Sequence, residues 1–207
     1  MSGPRGSGNW RERQARDPFV RQARQEGWRS RAVYKLIQLD EKEKLLRPGM
    51  VCVDLGAAPG GWSQYAATRA GERGRVLAVD LLEMESLPGV EFIHGDFTED
   101  STFEALGAAL GDARADLVLS DMAPNISGNR AVDQPRSIYL AELAFDFATR
   151  TLAPGGTFVC KLFQGEGFDV FVREVRTRFE RVNVRKPGAS RAASREVYLV
   201  ARNYRMV

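Results

Sequence analysis

The sequence predicts an α/β protein with a largely parallel sheet, on three observations. Five short apolar, β-branched runs, VCVDL, RVLAVDL, VEFIHGD, ADLVLSDM and GTFVCKLF, alternate with stretches long enough to be helices, the rhythm of strand–helix–strand crossovers. The first run breaks into the turn GAAPGG ahead of an amphipathic segment, which reads as strand, tight loop, helix start. A charged residue stands near the end of each run: Asp54, Asp80, Asp96, Asp121 and Lys161. Residues at the carboxyl ends of parallel strands converge at one edge of the sheet, where ligands gather.

The chain has 207 residues, 43% of them hydrophobic, enough for one domain with a real core and short for two. The expected organisation is a flexible basic tail over residues 1–16 and a single domain over 17–207. The net charge is only +3, but it is unevenly spread. Arg11, Arg13, Arg16, Arg21, Arg24, Arg29 and Arg31 face only Glu12, Asp17 and Glu26, and a second basic block runs from Arg173 to Arg195. Basic flanks around an acidic centre suit a polyanion wrapped over a small-ligand site; from charge alone a solvated Arg-rich surface explains them equally well. Cys52 and Cys160 lie inside strand-like runs, away from any CxxC, and read as buried thiols in a reducing compartment. No metal site, no membrane-spanning run of about 18 apolar residues and no signal-peptide core is expected, so the protein should be cytoplasmic. The Arg-rich start also has the composition of a mitochondrial transit peptide, although Gly3, Pro4, Gly6 and Gly8 make a poor amphipathic helix.

Taken in order, Asp17-Pro18 can cap and open a helix over Phe19 to Glu26 that Gly27 stops. Ser30 can cap a second helix through SRAVYKLIQLDEKEKLL, with Val33, Leu36 and Ile37 on its apolar stripe and Lys35 off it. The turn Arg47-Pro48-Gly49 precedes the first strand. Ser137 to Leu152 reads as a covering helix, ended by Ala153-Pro154-Gly155-Gly156, and Val170 to Phe179 as another. Arg181 to Arg185 and Glu196 to Ala201 are strand-like around a polar, basic loop of about ten residues, too short for a crossover, so a hairpin is expected.

Asp54, Gly56, Pro59, Gly60 and Gly61 therefore form a candidate nucleotide loop. Glycine lets the backbone approach a ligand, and the N–H groups that open the following helix can bond to it. An acid ending the second strand, Asp80, stands where a ribose would be held by its two hydroxyls, and Asp96 suits an adenine amino group. That arrangement serves a nicotinamide dinucleotide and S-adenosylmethionine alike, but GAAPGG departs from the G-x-G-x-x-G shaped for a pyrophosphate. His94, the single histidine, reads as structural.

The motifs RSRAVYKL, DLGAAPGGWSQY, GDF, SDMAPNISG, KLFQGEGFD and KPGASRAASREVYLV, spread from about Trp28 to Ala201, resemble the FtsJ/RrmJ (RlmE) family of S-adenosylmethionine-dependent ribosomal RNA 2′-O-methyltransferases. The resemblance implies a Rossmann-like methyltransferase fold, with a mostly parallel seven-stranded sheet, a C-terminal antiparallel hairpin and helices on both faces. It also implies a catalytic Lys-Asp-Lys-Glu tetrad at Lys35, Asp121, Lys161 and Glu196. Donor-binding positions fall on Gly60, Trp62, Asp80, Asp96 and, at the boundary with the reaction site, Asp121.

Chemistry gives these residue types a reason. A ribose hydroxyl is a weak nucleophile and needs help in losing its proton, for which Lys161 is the candidate. A lysine becomes a base only after shedding its own proton; Lys35 and a sulfonium favour that, whereas Asp121 and Glu196 oppose it. If Lys161 stays charged, it orients the hydroxyl instead. The basic flanks, with Arg185, Lys186, Arg191 and Arg195, would then grip phosphates. Resemblance further implies a uridine in the A-loop of large-subunit ribosomal RNA, modified in the assembled or late-assembling large subunit by a monomeric enzyme. Methylation of transfer RNA, a non-catalytic ribosomal RNA-binding assembly factor and a nicotinamide oxidoreductase are the alternatives.

Overall fold

The computed structural model describes residues 17–206, so the expected tail, residues 1–16, lies outside the described residues. The elements in chain order are α1 (Pro18–Glu26), α2 (Val33–Glu43), β1 (Val51–Leu55), α3 (Gly61–Ala70), β2 (Arg75–Asp80), β3 (Val90–His94) and α4 (Asp100–Leu110). They continue with β4 (Ala115–Ser120), α5 (Arg130–Thr151), β5 (Leu152–Phe163), α6 (Phe168–Arg178), β6 (Phe179–Arg185) and β7 (Glu196–Tyr204). The seven strands form one sheet of order β3-β2-β1-β4-β5-β7-β6. β1 to β5 pair in parallel, while β7 runs antiparallel to both β5 and β6. After β3 the chain returns to the far side of β1, so neighbouring crossovers leave in opposite directions and a crevice opens beyond the ends of β1 and β4.

Strand alternation sorts the core. Val53, Leu55, Phe158, Cys160 and Leu162 join α4, α5 and α6 on one face, where Phe97, Phe145, Phe147, Phe171 and Phe179 pack together. Cys52, Val159, Tyr198 and Val200 point to the other face, against Leu36 and Leu39 of α2 and Trp62 and Ala66 of α3. Both cysteines are buried and unpaired, as expected for strand residues in a core. Removing a fully buried ring such as Phe147 should cost about 3 to 5 kcal/mol.

The first helix follows its sequence signals: Asp17 accepts the Phe19 N–H (3.0 Å) and Gly27 terminates it at φ 75°. α2 departs from them. Ser30 does not cap it; the helix opens at Val33 after a turn closed by the Ser30 carbonyl. The Ser30 hydroxyl lies instead against Gly61, where a Cβ would come within 2.5 Å of it. α2 also stops before Leu45, because the Asp40 carboxylate accepts the N–H groups of Leu45 and Leu46 (both 2.8 Å) and Lys44 turns left-handed. α5 begins ahead of the expected Ser137, at Arg130. Asn129 caps it by accepting the Ala131 N–H (3.1 Å), and the helix carries Pro135, at which the sequence pattern would place a boundary. β5 already pairs at Leu152, and the register jump to Thr157 marks Ala153-Pro154-Gly155-Gly156 as an irregularity within the strand.

Candidate active site

The glycine loop is laced to the end of β2. Gly56 and Ala57 donate their N–H groups to the Val79 carbonyl (2.9 and 3.0 Å), and Ala58 donates to Asp80 Oδ2 (2.8 Å). Gly56 has φ +79° and a Cβ on it would lie 2.7 Å from Met122; Gly60 has φ +107° and a Cβ there would lie 2.8 Å from Met84. Neither position admits a side chain without strain. Pro59 follows a cis peptide bond. α3 starts at Gly61, and the N–H groups of its buried first turn lack intrahelical acceptors; that of Ser63 turns to the Asp54 carboxylate. The Trp62 ring is turned away from the loop: it is buried, donates its indole N–H to the Ala32 carbonyl (2.8 Å) and packs on Tyr198. Trp62 therefore brings its backbone, not its ring, to the loop.

Three carboxylates line this edge. Asp80 ends β2, with Oδ1 accepting the Leu82 N–H (2.8 Å) and Oδ2 holding Ala58, which leaves each oxygen a lone pair for another donor. Asp96, just past β3, accepts the N–H and hydroxyl of Thr98 on Oδ1, while Oδ2 has no partner among the described residues. Asp54 is completely buried; its Oδ2 accepts the Ser63 hydroxyl (2.6 Å) and its Oδ1 is unpartnered among the described residues. Burial, reinforced by the charges of Asp121 and Asp80, pushes its pKa up to about 7 against the opposing Ser63 hydrogen bond. His94, at the end of β3, meets the Leu81 carbonyl through Nε2 (2.8 Å), a local tether to the segment after β2.

The other half of the edge is made by β4, β5, β7 and α2. Lys161 pairs in register with Tyr198, and Phe163 with Glu196. Alternation therefore puts Lys161, Tyr198 and Glu196 on the same face, beneath α2. Asp121 leaves β4 with its N–H on the Leu55 carbonyl (3.2 Å). Lys161 Nζ bonds both its carboxylate, at 3.1 Å from Oδ1, and its carbonyl. Lys35 reaches down from α2 to Glu196 Oε1 (2.7 Å), with its ammonium 5.6 Å from the centre of the Tyr198 ring. The side chains of both pairs are largely buried, 9% and 17% exposed for Lys161 and Asp121 and 14% and 12% for Lys35 and Glu196, so water screens them little. The four residues expected to form a tetrad thus stand together as two cation–carboxylate pairs.

Tyr198 joins the pairs and was not singled out by its sequence. It is fully buried and its hydroxyl donates to Asp121 Oδ1 (2.7 Å). Burial and the facing carboxylates of Asp121 and Glu196 push its pKa well up, keeping it a neutral donor. Its position two residues after Glu196 on a strand was the available signal. Arg29, expected among the phosphate-gripping flank, takes a different part: its guanidinium donates to the carbonyls of Pro59 (3.3 Å), Glu85 (2.7 Å) and Ser86 (2.8 Å), fastening the glycine loop to the segment after β2. Other basic residues expected on phosphates already hold protein groups. Arg31 bonds Asp17 and the Ala189 carbonyl, Arg185 bonds Glu43, Lys186 bonds the Ser194 carbonyl and Arg195 the Gln164 carbonyl. Arg11, Arg13 and Arg16 lie outside the described residues.

The strand order, the hairpin at β6–β7 and the glycine loop after β1 define a Rossmann-like methyltransferase fold. Residues 28–204 match the family model described as FtsJ-like methyltransferase, and the chain belongs to that family. It is 55% identical over 205 residues to the ribosomal RNA large subunit methyltransferase E of Pseudomonas aeruginosa, covering 99% of each chain. The protein of the same name from Marinobacter nauticus is 54% identical over 206 residues, with 100% of each chain covered. Among solved structures, a protein of Plasmodium falciparum described as a ribosomal RNA methyltransferase superposes with a TM-score of 0.78 at 30% identity, covering 86% of this chain and 98% of that one.

Proposed function

We propose that this chain transfers a methyl group from S-adenosylmethionine to a ribose 2′-hydroxyl in large-subunit ribosomal RNA, with a uridine of the A-loop as the target and residues 17–207 as one catalytic unit. The observation that carries the reading is the pair of buried lysine–carboxylate contacts, Lys161–Asp121 and Lys35–Glu196, on the strand edge beside the glycine loop. The names of the relatives support the substrate class.

The residues on the donor side fit S-adenosylmethionine. Asp54 Oδ1, buried and unpartnered, suits an amino group; the remaining lone pairs of Asp80 suit two ribose hydroxyls; Asp96 Oδ2 suits an adenine amino group. Gly60, Gly61 and the backbone of Trp62 supply the close approach, and Gly56, Pro59 and Asp121 complete the cradle. When bound, the donor offers an electrophilic methyl on a sulfonium.

What remains for the protein is to aim the oxygen and manage its proton. Asp121 anchors Lys161 Nζ by carboxylate and carbonyl together, so the amine is preset rather than searching rotamers. Lys161 takes the hydroxyl proton or, charged, steadies the oxygen as negative charge develops on it. Lys35 and Glu196 form the opposite wall and orient the ribose. Two cations against two carboxylates keep this wall near neutral, which avoids repelling the positively charged donor.

Incubating the full chain with labelled donor and large ribosomal subunits, naked ribosomal RNA or transfer RNA tests the reading. Label is expected in large-subunit ribosomal RNA as 2′-O-methyluridine. Label in transfer RNA alone moves the substrate. Absence of label from all three, with donor binding demonstrated, makes the chain a binding protein and overturns the enzymatic reading.

A further inference from the structure

Two cavities on the α1 side of the tetrad form one groove. The first, about 330 Å³, has Lys35, Phe163, Ser194 and Glu196 in its wall and is where the target ribose belongs. The second, about 470 Å³, lies between the start of α1 and the loop from β6 to β7, with Pro18, Phe19, Gly188 and Ala189 in its lining. Arg31 and Arg191 line both, so they form the wall the cavities share. These two arginines differ. Arg31 is neutralised by Asp17 and tied to the Ala189 carbonyl, a fixed partition that also covers the Phe19 ring at 5.8 Å. The Arg191 side chain is exposed and has no ion-pair or hydrogen-bond partner among the described residues, which leaves an uncommitted cation at the junction.

A chain whose ribose enters the first cavity presents its next phosphate to Arg191 and its next base to an apolar hollow. Phosphate contacts of this kind set register, and an apolar, aromatic-edged hollow accepts a splayed-out base of any sequence. The second cavity is also coupled to the reaction: Ser190, in the same loop, donates its hydroxyl to Glu196 Oε1 (2.8 Å). We infer that this second cavity is a subsite for the nucleotide adjoining the methylated one. Its base lies against Pro18 and Phe19, and the phosphate joining the two nucleotides rests on Arg191. The inference rests on the RNA-methylating reading above.

Gly188 offers a place to test it. It is exposed, its φ is ordinary, and an added Cβ would meet nothing nearer than Gln38 Oε1 at 3.7 Å. In the full chain, Gly188→p-benzoylphenylalanine irradiated with large ribosomal subunits should cross-link to RNA next to the methylated nucleotide. Cross-links to residues 1–16 of the same chain, to a second copy, or only to distant RNA overturn the subsite. Independently, Arg191→Ala should raise KM for RNA about tenfold and reduce the salt slope of binding by about one, with donor Kd unchanged. Arg191→Lys should recover most of the affinity. Unchanged KM and salt slope in Arg191→Ala, with the wild-type chain methylating RNA, remove the subsite alone; a wild-type chain that binds donor and methylates no RNA removes both readings.

Discussion

The two halves of the strand edge are built on different principles. The proposed donor half, from Asp54 to Asp96, is a local construction: one glycine loop, tied by backbone hydrogen bonds to the end of the next strand, with carboxylates at its rim. The proposed acceptor half is assembled from α2, β4, β5 and β7, and depends on side chains whose positions are set by strand register and two ion pairs. A loop made of backbone tolerates a changed side chain nearby and fails when a glycine or its carboxylate anchor is lost. A cluster of side chains loses its chemistry when one member goes, while ligand binding next door survives. Donor affinity and turnover should therefore be separable by mutation.

The sharpest break is Lys161→Ala. Methyl transfer should fall about a thousandfold or more, while donor Kd, read by calorimetry, stays within about threefold. A comparable loss of donor affinity would merge the two halves.

Next is Asp54, the buried acid of the donor half. Below about pH 4 the folded and unfolded chains both carry its proton; between about 4 and 7 the unfolded chain releases it and the folded protein keeps it. Stability from this group is therefore lost as pH rises to about 7, by a few kcal/mol at most. Melting temperatures of Asp54→Asn across pH 4 to 8 should lack that decline, and an unchanged pH profile would show the acid to be ionised throughout.

Asp80→Ala acts in the reverse sense to Lys161→Ala. Losing hydrogen bonds to a charged acceptor should weaken donor Kd about ten- to a hundredfold, with kcat at saturating donor changed only severalfold. The smallest effect belongs to Tyr198→Phe. The ring and its packing remain, but Asp121 loses its hydroxyl partner, so kcat should fall about fivefold with donor Kd unaltered.

The same contrast governs what could be read from sequence. The strands, their order-defining alternation and the donor loop were legible because each is local: apolar runs, a glycine turn, an acid at a strand end. Asp54, Asp80 and Asp121 stand on the expected edge for that reason. Lys35 was off its helix's apolar stripe, and only the family resemblance tied it to Glu196; helical periodicity gives a direction, not a partner. The role of Tyr198 required knowing that β7 pairs antiparallel with β5 in the register Lys161 to Tyr198. The basic flanks were legible only as a total: composition counts charges but cannot tell that Arg31 meets Asp17 or that Arg29 is spent on three carbonyls. α5 starts at Arg130 rather than Ser137 because Asn129 caps it and tertiary packing tolerates Pro135 inside the helix, and Ser30, expected as a cap, packs its hydroxyl on Gly61 instead.

The proposed mechanism has a preset lysine direct a methyl group onto a ribose oxygen beside an independent donor site. Its most direct test is to label large-subunit ribosomal RNA with the wild-type chain and with Lys161→Ala at saturating donor, digest the RNA to nucleosides and locate the methyl group. The wild type should yield a 2′-O-methylated ribonucleoside, and Lys161→Ala, which still binds donor, almost none. Label on a base, or equal labelling by both proteins, would contradict it.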